Sequence, residues 1–231
     1  MKKLIIIFCY ILISTFSTRA DVIDTLYADT IISTQIGELT FKGGTTITKK
    51  QDGQVIRGTL AYDTDIWTTG PLIFFSRKHP ITFNKNGRVI QGVSVLDFIG
   101  QACDGKFYTF AGGYIVEWDD YGKISAGTIE IPFPIIVENQ EFTIKERTII
   151  KYYPNGKIMQ ATPNYNVKLK ISQTETVNFM GGEIIKFSQD GNVIQGVLAK
   201  KTTFALKDGT EKIVPQGEKI KFDNNGFLIT Y

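Results

Sequence analysis

The chain is 231 residues long, 42% apolar and 21% charged, with 26 basic residues, 23 acidic residues and a single histidine. Lys2, Lys3 and Arg19 lie in the first twenty residues, so the remaining 23 basic residues balance the 23 acidic ones. A neutral surface of mixed sign argues against nucleic acid or an anionic membrane as a partner, despite a sequence pI near 8.7.

Residues 1–20 read as a secretory signal peptide. Lys2 and Lys3 form a basic start, Leu4 to Ile13 is an apolar run, and Thr18-Arg19-Ala20 offers cleavage after Ala20. The run is too short to span a bilayer permanently. Export leaves Cys103 as the only thiol beyond the leader, so the expected domain, residues 21–231, holds itself together without an internal disulfide.

Beyond the leader one phrase recurs, ending in a turn glycine at Gly53, Gly87, Gly122, Gly156, Gly191 and Gly226, which are 34 or 35 residues apart. Six evenly spaced copies indicate a repeat architecture. Six residues before each glycine stands Ile47, Ile81, Val116, Ile150, Ile185 or Ile220; two after it stands Val55, Val89, Ile124, Ile158, Val193 or Leu228. Four before it come Lys49 and then five aromatics, Phe83, Trp118, Tyr152, Phe187 and Phe222. Apolar residues at alternate positions, β-branched and aromatic, predict strands paired as hairpins. Pro154 and Tyr121 disfavour a two-residue turn, because Pro lacks a donor and Tyr resists positive φ. A three-residue loop with Gly in the left-handed region accommodates both and sets each aromatic opposite the aliphatic that follows the turn.

Small residues inside the strands predict a kink across each long hairpin. Gly58, Gly92, Gly127, Ala161 and Gly196 lie five after the turn glycine, and Gly43-Gly44, Gly112-Gly113 and Gly181-Gly182 lie nine or ten before it. Return turns are expected at Thr69-Gly70-Pro71, Asp104-Gly105 and Asp208-Gly209. The expected fold is all-β: about a dozen bent strands in one antiparallel meander, elongated or rolled. Residues 21–36 form an N-terminal cap, in which Asp29-Thr30 echoes Asp63-Thr64, and the repeats fill 37–231. A six-bladed propeller is the alternative.

The aromatic, Asn/Asp-Gly, Val/Ile phrase, as in Ile81 to Gly92 and Ile185 to Gly196, resembles that of bacterial relatives of the MORN and YwqK-type repeat proteins. The present repeat is longer than the MORN unit and lacks its glycine-rich second half. The resemblance implies a repetitive β-scaffold used for binding or assembly, and it brings no catalytic residues.

Nothing in the chain assembles a recognisable reaction centre, so no catalytic, cofactor or metal residue is assigned. His79 reads as a solvent-facing residue near a bend, and neither Ser76 nor Cys103 sits in a nucleophile motif. The carboxylates Glu117, Asp119 and Asp120, and Glu138, Glu141 and Glu146, read as solvated hairpin ends, and Asp223-Asn224-Asn225-Gly226 as a turn. The aromatic stripe reads as core. The expected function is a non-enzymatic, exported scaffold or binding module, periplasmic or extracellular, whose partner is a protein or a glycan. The alternatives are an outer-membrane β-barrel, for which Phe227, Ile229 and Tyr231 alternate near the C-terminus, and a secreted hydrolase.

Overall fold

The computed structural model describes residues 21–229, so the leader and Tyr231 lie outside the described residues. Every regular element in that span is a β-strand. Twelve strands form one antiparallel sheet, from Val22–Thr25 at one edge to Lys219–Lys221 at the other, and each pairs only with its neighbours in that order. The sheet therefore keeps two separate edges. It is neither a closed barrel nor a ring of blades, and of the expected forms the open bent meander is the one that folds.

The six turns follow the three-residue rule. In each, the glycine N–H donates to the carbonyl three residues back, as from Gly122 to Asp119 and from Gly156 to Tyr153. All six glycines have φ between 70° and 87°, while Tyr121 and Asn155 keep negative φ. A type I turn with Gly in the left-handed region explains this. Phe83 then faces Val89, Trp118 faces Ile124, and Phe187 faces Val193, with a register shift just before each aromatic. The alternation inferred from sequence is the alternation of burial: Val116 and Trp118 are buried and Ile115 is exposed.

The other half of each repeat turns back over the sheet, an arrangement the linear pattern did not foreshadow. It forms six separate cover hairpins: Thr30–Thr34 with Gly37–Phe41, Thr64–Trp67 with Leu72–Phe75, Phe98–Gln101 with Phe107–Phe110, Phe133–Val137 with Gln140–Ile144, Val167–Lys170 with Thr176–Phe179, and Thr202–Ala205 with Glu211–Val214. At the corner an acidic or amide side chain accepts a backbone N–H: Asp29 from Gly43, Asp63 from Arg77, Asp97 from Gly112 and Asn166 from Gly181, at 2.7–2.9 Å. The return turns at Gly105 and Gly209 have φ near 82° as expected. The fourth cover hairpin turns instead on Glu138 and Asn139, both at positive φ and without a glycine, at the hairpin end expected for Glu138.

Between the two layers lies one continuous hydrophobic core. Phe204 and Phe179 meet Phe222 edge-on, and Phe142 stacks on Phe187 at 6.4 Å, so the aromatic stripe of the sheet is buried beneath the covers. The small residue after each turn has its reason here. The ring of Phe41 lies over Gly58, Phe75 over Gly92, Phe110 over Gly127 and Phe179 over Gly196, leaving no room for a Cβ. In the fourth copy both members change together: Ala161 replaces the glycine, Ile144 replaces the ring, and both are fully buried.

Each cover is staggered by one copy. Its base lies over its own hairpin, and its tip reaches the next turn of the sheet: Gln35 touches Gly87, Thr69 touches Gly122, Cys103 touches Gly156 and Glu138 touches Gly191. Two rows of turns thus meet along one edge of the sandwich, and between adjacent covers they leave short grooves.

Candidate functional site

In a repeat protein, a residue that every copy shares is accounted for by the scaffold, and one that departs in a single copy needs another reason. One group of such departures, exposed and apolar, lies in the second and third copies. Fifteen residues before the turn glycine the copies carry Glu38, Leu72, Phe107, Glu141, Thr176 and Glu211. The position faces solvent on the cover hairpin, and Phe107 remains 63% exposed there. One residue before the turn glycine, five copies have Asp or Asn and the third has Tyr121, which is 82% exposed. Trp67, paired with Leu72, is 69% exposed beside the second cover tip, and Ile99 on the third cover is 63% exposed. Burying any of these would be favourable, so their gathering around one groove makes it a candidate contact surface.

Phe107, Ile99, Gln101, Tyr121 and Lys123 line a groove of about 310 Å3, with the tip Thr69-Gly70-Pro71 also lining it. Its frame is held from both sides. Asp119 Oδ1 accepts the N–H groups of Tyr121 and Lys123 at 2.9 and 2.8 Å, fixing the turn that presents the tyrosine. Asp120 is held by the second copy, receiving Asn84 Nδ2 at 3.0 Å and Arg88 Nη1, on its carbonyl, at 3.2 Å. Beneath, Trp118 is buried and stacks on Phe98. The arrangement offers flat aromatic faces with amide, ammonium and hydroxyl groups at their margins.

The same groove recurs one copy on, at about 260 Å3, between the tip carrying Asp104 and Lys106 and the strand Phe133–Val137. Its lining mixes charged and aliphatic side chains and holds no aromatic ring, and its charges are largely satisfied: Lys157 pairs with Glu138 at 3.2 Å, and Tyr108 donates to Asp104 at 2.6 Å. A wider concavity of about 450 Å3 beside Lys219–Lys221 is the open edge of the sheet.

The titratable residues weighed in the sequence are dispersed. His79 is exposed at the corner of the second copy, as expected. Cys103 lies in the third copy, where burial first and the neighbouring Asp119 carboxylate second push its thiol up to about 12. Its Sγ donates to Asp119 Oδ2 at 3.6 Å, so it stays a thiol at neutral pH and is a poor nucleophile. Burial likewise raises Tyr108 and Tyr152 above the ordinary phenol range. Glu117 accepts Gln91 Nε2 on the sheet's outer face, Glu138 sits in its tight turn, and Glu141 and Glu146 are exposed. Asp223 accepts the N–H groups of Asn225 and Phe227, as a turn requires, and Lys207 at 2.7 Å holds its carboxyl below the usual range. Among the described residues no three His, Cys, Asp or Glu side chains converge on a common point.

Sequence reasoning noticed Tyr121 only as an awkward turn residue and missed Phe107, Ile99 and Trp67. Aligning the copies fifteen residues before each turn, where Glu predominates, would have exposed Phe107. Comparison with protein-family models and with curated proteins finds no match for the chain.

Proposed function

We propose that this chain is an exported, non-enzymatic binding module, with the repeats as scaffold and the third-copy groove as the ligand contact. The observation that carries this reading is the cluster of exposed Phe107, Tyr121 and Ile99 around one braced turn, with Tyr121 where every other copy has Asp or Asn and Phe107 where three copies have Glu. Aromatic faces bordered by Gln101, Thr69 and Lys123 suit a sugar chain, whose C–H faces stack on rings and whose hydroxyls accept and donate hydrogen bonds. Export rests on the leader-like residues 1–20, and the likeness to MORN and YwqK-type repeats supports a scaffolding role. The dispersed titratable groups and the protonated Cys103 favour binding over turnover.

Two substitutions test the reading because each restores what other copies carry. In Tyr121→Asn and Phe107→Glu the unfolding free energy should stay within about 0.5 kcal/mol of the wild type, as for ordinary surface changes. Capture on an array of neutral oligosaccharides should be lost in both. Undiminished capture by both variants would remove the groove as the site. Intact mass of the secreted product should begin at Asp21, and retention of Met1 to Ala20 on a cell-associated form would refute export.

A further inference from the structure

The outer face of the twelve-stranded sheet, opposite the core, carries an ordered row that crosses from copy to copy. Strand register sets Thr48 beside Arg57, then Thr82, Gln91, Glu117 and Ala126. It continues through Lys151, Gln160, Lys186, Gln195 and Lys221 on five successive strands. Over the last three copies the row is therefore a strict alternation of cation and amide, although neighbours in the row lie 9 or 26 positions apart in the chain. Lys186 is exposed and Lys151 half-exposed, and none of the ion pairs among the described residues uses either. The acidic residue Glu183 lies on the approach to the strand of Lys186, three residues away, roughly 10 Å at the rise of a strand. Glu117 is the carboxylate nearest in the row, two strands from Lys151 and bound to Gln91.

From this geometry we infer a second binding surface, for an anionic polysaccharide laid across the strands along Lys151, Gln160, Lys186, Gln195 and Lys221. Successive lysines are separated by two strand spacings, roughly 9.5 Å. An extended β-linked sugar chain advances by close to one strand spacing per residue, so a polymer that alternates acidic and neutral sugars presents a carboxylate to Lys151 and to Lys186 and hydroxyls to each glutamine. Glutamine can donate to and accept from a hydroxyl, which a second lysine could not do. The alternation also spaces the like charges, which directly opposite one another would destabilise the sheet. A bare polyphosphate would use the lysines and leave the amides without a role. The surface is separate from the third-copy groove and does not rest on it.

The test uses the whole exported chain and three probes of equal length: hyaluronan, in which acidic and neutral sugars alternate, dextran and inorganic polyphosphate. Hyaluronan should bind at low salt with an affinity that falls as salt rises, and dextran should not. Lys151→Gln with Lys186→Gln, which extends the row's own amides, should weaken hyaluronan binding roughly thirtyfold, on the worth of a basic residue near an anionic surface. The unfolding midpoint should stay unchanged. Tyr121→Asn should leave this binding intact, which separates it from the groove. Absence of hyaluronan binding at low salt, or binding unaffected by the double variant, would overturn the inference, as would equal affinity for polyphosphate.

Discussion

The coupled change at Ala161 and Ile144 makes the packing between layers open to a quantitative test in another copy. At Gly196 a Cβ would lie 2.5 Å from Cδ1 and 2.8 Å from Cε1 of Phe179, whose ring is fully buried and cannot swing aside. Forcing a methyl into such a site typically costs about 1–3 kcal/mol. Ala instead of Gly also restricts the unfolded chain, which offsets the loss by roughly 0.4–1 kcal/mol. Gly196→Ala should therefore destabilise by about 1–2 kcal/mol. Phe179→Ile alone removes part of the ring and leaves a void above the glycine, a loss of roughly 1–2 kcal/mol by comparison with larger core truncations. Made together, the two changes reproduce the fourth copy's pair, and the methyl fills the space the ring vacates. The double variant should then lose less than the sum of the singles by at least about 1 kcal/mol, within the range seen for residues in contact. Equilibrium denaturation in urea measures all four corners of the cycle, provided the slope with denaturant stays the same. Additivity within about 0.5 kcal/mol, the behaviour of independent sites, would refute the steric account of the glycine.

Two further outcomes follow from local geometry. Gly156→Ala should cost more than Gly53→Ala: both have φ above 80°, but a Cβ at Gly156 would also lie 2.5 Å from the Cys103 carbonyl oxygen, whereas Gly53 has open space. The strain alone is worth about 1 kcal/mol, so equal unfolding midpoints for the two variants would contradict the contact between cover tip and turn. Alkaline pH should destabilise the fold through Cys103. Its folded-state value of about 12 lies above the ordinary thiol value of 9.0, so the folded chain holds the proton more tightly. The stabilisation is complete below pH 9 and is lost as pH rises from about 9 towards 12. Cys103→Ala should flatten part of that decline in pH-dependent denaturation, and an unchanged profile would place the thiol in contact with water.

The turn type, the strand alternation and the pairing of aromatic with aliphatic were all legible in the chain. Each is a local rule: Gly accepts positive φ, Pro154 and Tyr121 exclude the tighter turn, and side chains alternate along a strand. The kink was legible too, because glycine inside a strand needs a reason. Its meaning was not. That Gly196 makes room for Phe179, seventeen residues away, follows from the layer that folds back over the sheet, and no periodicity along the chain encodes which face that layer covers.

The sites divide in the same way. By itself the sequence determined that this is a six-copy β-repeat whose titratable residues form no familiar catalytic motif, since composition and spacing suffice to establish both. Only the tertiary structure decided where the exposed residues gather. The stagger of the covers brings Thr69, Phe107 and Tyr121, from three separate turns and strands, to one groove. Strand register likewise places Lys151 and Lys186 in one row. Such neighbours are set by packing between distant segments, where burial of the apolar face chooses the partner and the polar face is carried along with it.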